Sequence, residues 1–218
     1  MYVKICGLMD EASALAAAAA GADLLGFVFA PSRRRLTAQR ARAIVRALRE
    51  SAPHPPVRTV GVFVDECPLR VDDVAAYCGL DYVQLSGHED GAYLRRLGTP
   101  AIVARRATRD LTAAALAPLR ETAAFLLLDA YSPGALGGTG TACDWEVAAR
   151  VAREHPILLA GGLTPDNVAA AIAAVRPLGV DVSSGVETDG RKDPAKIAAF
   201  VARAKEAAAP ARTAGSLA

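Results

Sequence analysis

A cysteine, an aspartate, three adjacent arginines and two glycine-bearing turns are the residues of this chain whose types and placing could do chemistry. Cys6 closes a short apolar run inside Lys4-Ile5-Cys6-Gly7. A thiol can act near neutral pH as a general base or a nucleophile, or it can pack as a small hydrophobe. Asp129 closes Phe125-Leu126-Leu127-Leu128. A carboxylate there is too costly to bury alone. Either a structural hydrogen bond holds it, or burial keeps its proton on and it serves as a general acid.

Arg33, Arg34 and Arg35 offer a guanidinium that could grip a planar carboxylate bidentately, the others facing solvent or phosphate. Gly161-Gly162 follows the run 157–160, and Ser183-Ser184-Gly185 follows 180–182. Glycines let a backbone approach closely enough for amide donors to surround phosphate oxygens, although tight turns alone would also use them. The stretch 130–143, with Gly134, Gly137, Gly138 and Gly140, has the composition of a loop that closes over a ligand. A plain surface loop is the alternative. Asp65, Gln84 and Arg105 stand near strand ends without a defined role, and His54, His88 and His155 do not cluster.

The elements that must position these groups follow from the alternation of the chain. Short apolar runs at 2–6, 24–29, 58–64, 82–85, 101–105, 124–129, 157–160 and 180–183 predict eight strands. Helical stretches at 10–20, 38–50, 68–77, 89–97, 111–119, 145–153, 165–175 and 194–207 lie between and after them. Strands that read as continuous apolar runs belong to a parallel sheet covered on both faces. Eight such units predict an α/β fold, a single-domain (β/α)8 TIM barrel over residues 1–207, with 208–218 as a loosely ordered tail. Thr164-Pro165 and Asp193-Pro194 predict helix starts. Gly21, Gly98 and Gly179 predict left-handed returns from helix to strand. In such a barrel, function belongs to the C-terminal ends of the strands, where Cys6, Arg34, Asp129 and both glycine turns fall.

Composition narrows the partners. The 218 residues carry a net charge of +2, without a basic stripe interleaved with aromatics, which argues against nucleic acid. No apolar run is long enough to span a bilayer, and residues 1–6 do not read as a secretory signal, so a cytoplasmic setting is expected. Cys6, Cys67, Cys78 and Cys143 lack zinc-ligand spacing and are expected to be free thiols. A monomer or a homodimer is compatible with the sequence.

Through Phe200 the chain resembles the phosphoribosylanthranilate isomerase family of tryptophan biosynthesis. The resemblance lies in Lys4-Ile5-Cys6-Gly7, Gly26-Phe27-Val28-Phe29-Ala30-Pro31, Val60-Gly61-Val62-Phe63-Val64 and Leu127-Leu128-Asp129. It continues in Gly137-Gly138-Thr139-Gly140, Asp144-Trp145, Ala160-Gly161-Gly162-Leu163 and Asp181-Val182-Ser183-Ser184-Gly185-Val186-Glu187. It implies an Amadori rearrangement of N-(5-phosphoribosyl)anthranilate without metal or organic cofactor. Cys6 would be the general base and Asp129 the general acid. Arg34 would hold the anthranilate carboxylate, with Arg33 or Arg35 as other registers. Gly161, Gly162, Ser183, Ser184 and Gly185 would hold the phosphate of this small-molecule substrate. Ser86 stands where the family commonly has histidine, Arg35 where an aromatic is common, and the arginine loop is one residue shorter. These departures leave two other expectations: isomerisation or epimerisation of another phosphorylated sugar, and a noncatalytic phosphosugar-binding barrel.

Overall fold

A computed structural model describes residues 1–51, 56–129 and 142–209, with backbone alone at 142–144. Its first half runs β1 (Tyr2–Cys6), α1 (Glu11–Ala19), β2 (Leu24–Val28), α2 (Ala38–Glu50), β3 (Arg58–Phe63), α3 (Pro68–Cys78), β4 (Tyr82–Leu85) and α4 (Gly91–Leu94). The second half runs β5 (Ala101–Arg106), α5 (Ala113–Arg120), β6 (Phe125–Asp129), α6 (Ala142–Ala152), β7 (Ile157–Ala160), α7 (Val168–Val175) and β8 (Gly179–Val182). A 3-10 turn (Ser184–Val186), β9 (Glu187–Thr188), β10 (Arg191–Lys192) and α8 (Pro194–Ala208) complete it. Strands β1 to β8 pair in order, all parallel, and β8 closes on β1. This is the expected TIM barrel.

The apolar runs are continuous because each strand has two buried faces. In β6, Leu126 and Leu128 belong to the shell of side chains under the helices, whereas Leu127 joins the inner cluster of Leu24, Val60, Ile102, Leu158 and Ala160. Alternation then sets Phe125, Leu127 and Asp129 on the inner face, with Asp129 at the C-terminal rim. Three aromatics close the opposite end. Phe125 meets Tyr2 and Tyr82 edge-on, with ring centroids 5.4 and 5.7 Å apart.

Three local expectations are corrected. Gly98 and Gly179 do not have positive φ, unlike Gly21. The return at Gly98 is pinned instead by Asp72, whose carboxylate accepts from the Gly98 and Thr99 amides at 2.9 and 3.1 Å. Gly179 opens β8, where a Cβ would lie 2.6 Å from the Tyr2 carbonyl oxygen, so it is glycine for want of space. Pro165 does not start α7, because Asn167 turns the segment first by accepting from Thr164 N at 2.8 Å. Asp193-Pro194 does start α8, with the Asp193 carboxylate accepting from Ala195 N at 2.9 Å. The helix expected at 89–97 is reduced to Gly91–Leu94, because the buried Glu89 carboxylate binds the Asp65 and Gly87 amides and holds its own segment as a loop. The expected closing loop lies outside the described residues from 130 to 141, and the expected tail does so from 210 onwards.

Candidate active site

Cys6 is the last residue of β1, 8% exposed, directly opposite Gly26 of β2. A Cβ on Gly26 would lie 2.8 Å from the Cys6 sulfur and 3.2 Å from Lys4 Nζ, so the glycine clears the space into which both side chains point. Lys4, one alternation step below Cys6, is completely buried and donates to Asp181 Oδ1 at 2.9 Å. Burial pulls the Lys4 ammonium down, but the Asp181 carboxylate and the nearby Cys6 sulfur together hold it above the usual lysine range. Gly7 turns the chain away with φ +74°, and a Cβ there would strike Arg34 Cδ at 2.5 Å.

That contact places Arg34, of the three arginines, beside the end of β1. The Arg34 side chain is 19% exposed, against 58% for Arg33. Arg35 is exposed and bridges its backbone to Val28. Arg34 forks onto Glu187, its Nε donating to Oε1 at 2.7 Å and its Nη2 to Oε2 at 2.9 Å. Lys192 Nζ donates to the same Glu187 Oε1 at 3.0 Å and to the Ser183 carbonyl at 2.8 Å. Burial pushes the Glu187 carboxyl up, yet these cations outweigh it and hold it at about 2. Burial pushes Lys192 below the usual lysine range despite Glu187.

Asp129 ends β6 half-buried, and its carbonyl accepts from Ala107 N at 2.9 Å. Cys6 and Asp129 are thus inner-face residues at the same rim of the barrel. The expected phosphate residues lie beyond β7 and β8. Gly161 and Gly162 have φ of +97° and +62°, and Asn167 Nδ2 donates to the Gly162 carbonyl at 2.9 Å. Gly185 packs against Leu163 so closely that a Cβ would run into the Leu163 carbonyl. Ser183 Oγ donates to the Cys6 carbonyl at 3.1 Å, which ties the last turn to the end of β1.

Other strand-end residues do different work. Asp65 accepts from the His88 amide at 2.6 Å, and Arg105 donates to the Gly87 and Glu89 carbonyls, so both brace the loop after β4. Gln84 turns into the barrel and donates to Ser86 Oγ at 3.1 Å. His155 Nε2 lies 2.9 Å from the Ala113 carbonyl oxygen, and His54 is outside the described residues. Cys6, Cys67 and Cys78 are free thiols, as expected.

Lys4, Asp181, Glu187 and Lys192 have no assigned role in the sequence, although three of them stand within the motifs quoted above. Lys4 and Asp181 did leave a signal. Each interrupts an apolar strand at an inner-face position, and in a closed barrel the first and last strands are neighbours.

A closed barrel with a thiol and a carboxyl on its C-terminal rim, and glycine turns after its last two strands, defines a (β/α)8-barrel enzyme of phosphorylated small molecules. The model of one family, "PRAI: N-(5'phosphoribosyl)anthranilate (PRA) isomerase", matches residues 3–203, and the chain belongs to that family. The N-(5'-phosphoribosyl)anthranilate isomerase of Desulforudis audaxviator is 51% identical over 94% of this chain and 98% of its own. That of Roseiflexus castenholzii is 50% identical over 95% and 100%. The crystal structure of the Thermotoga maritima enzyme superposes with a TM-score of 0.82 at 37% identity, covering 94% of this chain and 99% of its own. A phosphoribosyl anthranilate isomerase in complex with reduced 1-(o-carboxyphenylamino)-1-deoxyribulose 5-phosphate gives 0.80 at 36% identity, over 94% and 99%.

Proposed function

We propose that Cys6 and Asp129 are the base and the acid of the reaction this family performs. The chain isomerises N-(5-phosphoribosyl)anthranilate to 1-(2-carboxyphenylamino)-1-deoxyribulose 5-phosphate. The observation that carries the assignment is the shared rim. Cys6 and Asp129 end inward-facing runs on β1 and β6, with the glycine turns of β7 and β8 between them in barrel order.

With the sugar phosphate held by amides around Gly161, Gly162, Ser183, Ser184 and Gly185, Asp129 gives its proton to the furanose ring oxygen. The C1–O bond breaks, and the anthranilate nitrogen lone pair forms the iminium. The Cys6 thiolate then takes the proton from C2, whose electrons form the C1–C2 double bond of an enolamine. Loss of the enol proton and protonation at C1 give the ketose, so the atoms balance as an isomerisation requires. The positive iminium acidifies C2 enough for a thiolate to suffice. Acid and base each supply about 10²–10⁴-fold by this kind of catalysis. Arg34 meets the anthranilate carboxylate as a planar, bidentate partner.

A free thiol as base also suits a cytoplasmic setting, where thiols stay reduced. Among the described residues no helix is long and apolar enough to cross a membrane. The barrel works as a monomer or a homodimer, which sizing in solution decides.

The test follows the loss of anthranilate-adduct fluorescence while the ketose product is quantified, with Cys6→Ala alongside. Matching substrate loss and ketose gain in the parent, with both abolished in Cys6→Ala, is expected. Undiminished ketose formation by folded Cys6→Ala would end the assignment of the base.

A further inference from the structure

The inner cluster of this barrel is built from Leu24, Val60, Ile102, Leu127, Leu158 and Ala160, yet β1 sends a lysine into the same interior with no solvent exposure. Removing an ammonium from water is unfavourable even when it is paired. Among the described residues the carboxylate partner of Lys4 is Asp181, with Oδ1 at 2.9 Å. Lys4 Nζ and the Cys6 sulfur border the same small space beside Gly26. An ammonium has three donors, so the bond to Asp181 leaves others that can serve the neighbouring thiol. Gly26 is what leaves room, since its Cβ would lie within 3.2 Å of both Lys4 Nζ and the Cys6 sulfur.

A purely structural tie between β1 and β8 explains less. Those strands are already joined by a main-chain ladder from Tyr2↔Gly179 to Ile5↔Val182. Such a tie would not require a bare glycine beside both the ammonium and the thiol. Two further cations act on Cys6, Arg34 from the loop after β2 and Lys192 from β10, but only through charge. Both are bound to Glu187 of β9. From β8 the charged group is Asp181, engaged by Lys4, and opposite Cys6 on β2 stands only Gly26.

We propose that Lys4 is a positioning residue for the isomerisation: oriented by Asp181, its ammonium donates to the Cys6 sulfur, holds it as the thiolate, and points it at the sugar. This rests on Cys6 being the base. When Cys6 takes the C2 proton its charge disappears, and Lys4 remains paired with Asp181, so no lone charge is left in the interior.

The experiment measures iodoacetamide alkylation of Cys6 against pH, with the modified peptide identified by mass, beside the pH profile of turnover. Lys4→Gln keeps a donor for Asp181 without the charge. Lys4→Met/Asp181→Asn removes both charges, so one folded variant suffices. Lys4→Arg restores a cation. In either uncharged variant the pH of half-maximal alkylation should rise by about one unit or more, the scale set by a charge a few ångströms away. Turnover at pH 7 should fall about tenfold, recover toward alkaline pH and leave KM little changed. Lys4→Arg should lie near the parent. An unchanged alkylation profile in a folded uncharged variant overturns the proposal. Undiminished turnover by Cys6→Ala instead overturns the base assignment beneath it, whatever the alkylation profile.

Discussion

Arg34 and Glu187 face each other as two parallel hydrogen bonds, Nε to Oε1 at 2.7 Å and Nη2 to Oε2 at 2.9 Å. The fork leaves Nη1 outside this pairing, so Glu187 determines which edge of the guanidinium a ligand can meet. Arg34→Ala should therefore raise KM much more for the carboxylate-bearing substrate than for an analogue without that carboxylate. Glu187→Gln should raise KM about tenfold, the effect of losing roughly one charge-assisted bond's worth of orientation. In an Arg34→Ala background the same substitution should add almost nothing to the KM effect, because the two residues act through one geometry. Additive KM effects in the double variant would break the link.

The same carboxylate makes a prediction in acid. Burial raises the Glu187 carboxyl, but hydrogen bonds from Arg34 and Lys192 prevail and hold it at about 2, below its ordinary 4.5. A depressed carboxyl stabilises the fold fully above its unfolded value, and that stabilisation is lost as pH falls through the folded value. The denaturation midpoint of the parent should therefore drop between about pH 4.5 and 2 more steeply than that of Glu187→Gln. Parallel curves over this window would contradict the charge cluster.

The proposed acid role of Asp129 can be separated from binding. Asp129→Asn keeps the size and polarity of the side chain but cannot give a proton. Turnover should fall about 10²–10⁴-fold, while affinity for a reduced product analogue, measured calorimetrically, stays close to the parent. Retained turnover would transfer the acid role elsewhere.

The barrel was legible because continuous apolar strands and alanine-rich helices agree on one architecture, and Cys6 and Asp129 were legible because a barrel gives strand ends a meaning. The β9–β10 hairpin was harder to see. Its turn, Asp189-Gly190 with φ of +50° and +76°, is a strong hairpin signal when alternating apolar residues flank it. Here charged residues flank it, and each strand has two residues. Its role is electrostatic, bringing Glu187 and Lys192 to the rim. The Lys4–Asp181 pair needed strand closure as well as local pattern, since the two residues lie 177 positions apart.

The turns after β7 and β8, proposed to hold the phosphate, carry glycines that are required for different reasons. Gly162 has φ +62° and nothing within 4 Å of a built Cβ. Gly162→Ala should cost about 1–2 kcal/mol of stability through backbone strain, while the loop keeps its place. Gly185 has ordinary φ, but its Cβ would run into the Leu163 carbonyl and come within 3.2 Å of Thr164 Cα. Backbone cannot yield as a side chain does, so Gly185→Ala must move one loop away from the other. A displacement of about 1 Å can cost about 10²-fold in rate. Gly185→Ala should therefore weaken inhibition by inorganic phosphate and raise KM far more than Gly162→Ala, whose effect should appear chiefly in the melting temperature. If inhibition by phosphate survives Gly185→Ala unchanged in a folded protein, the phosphate is held somewhere other than between these two turns.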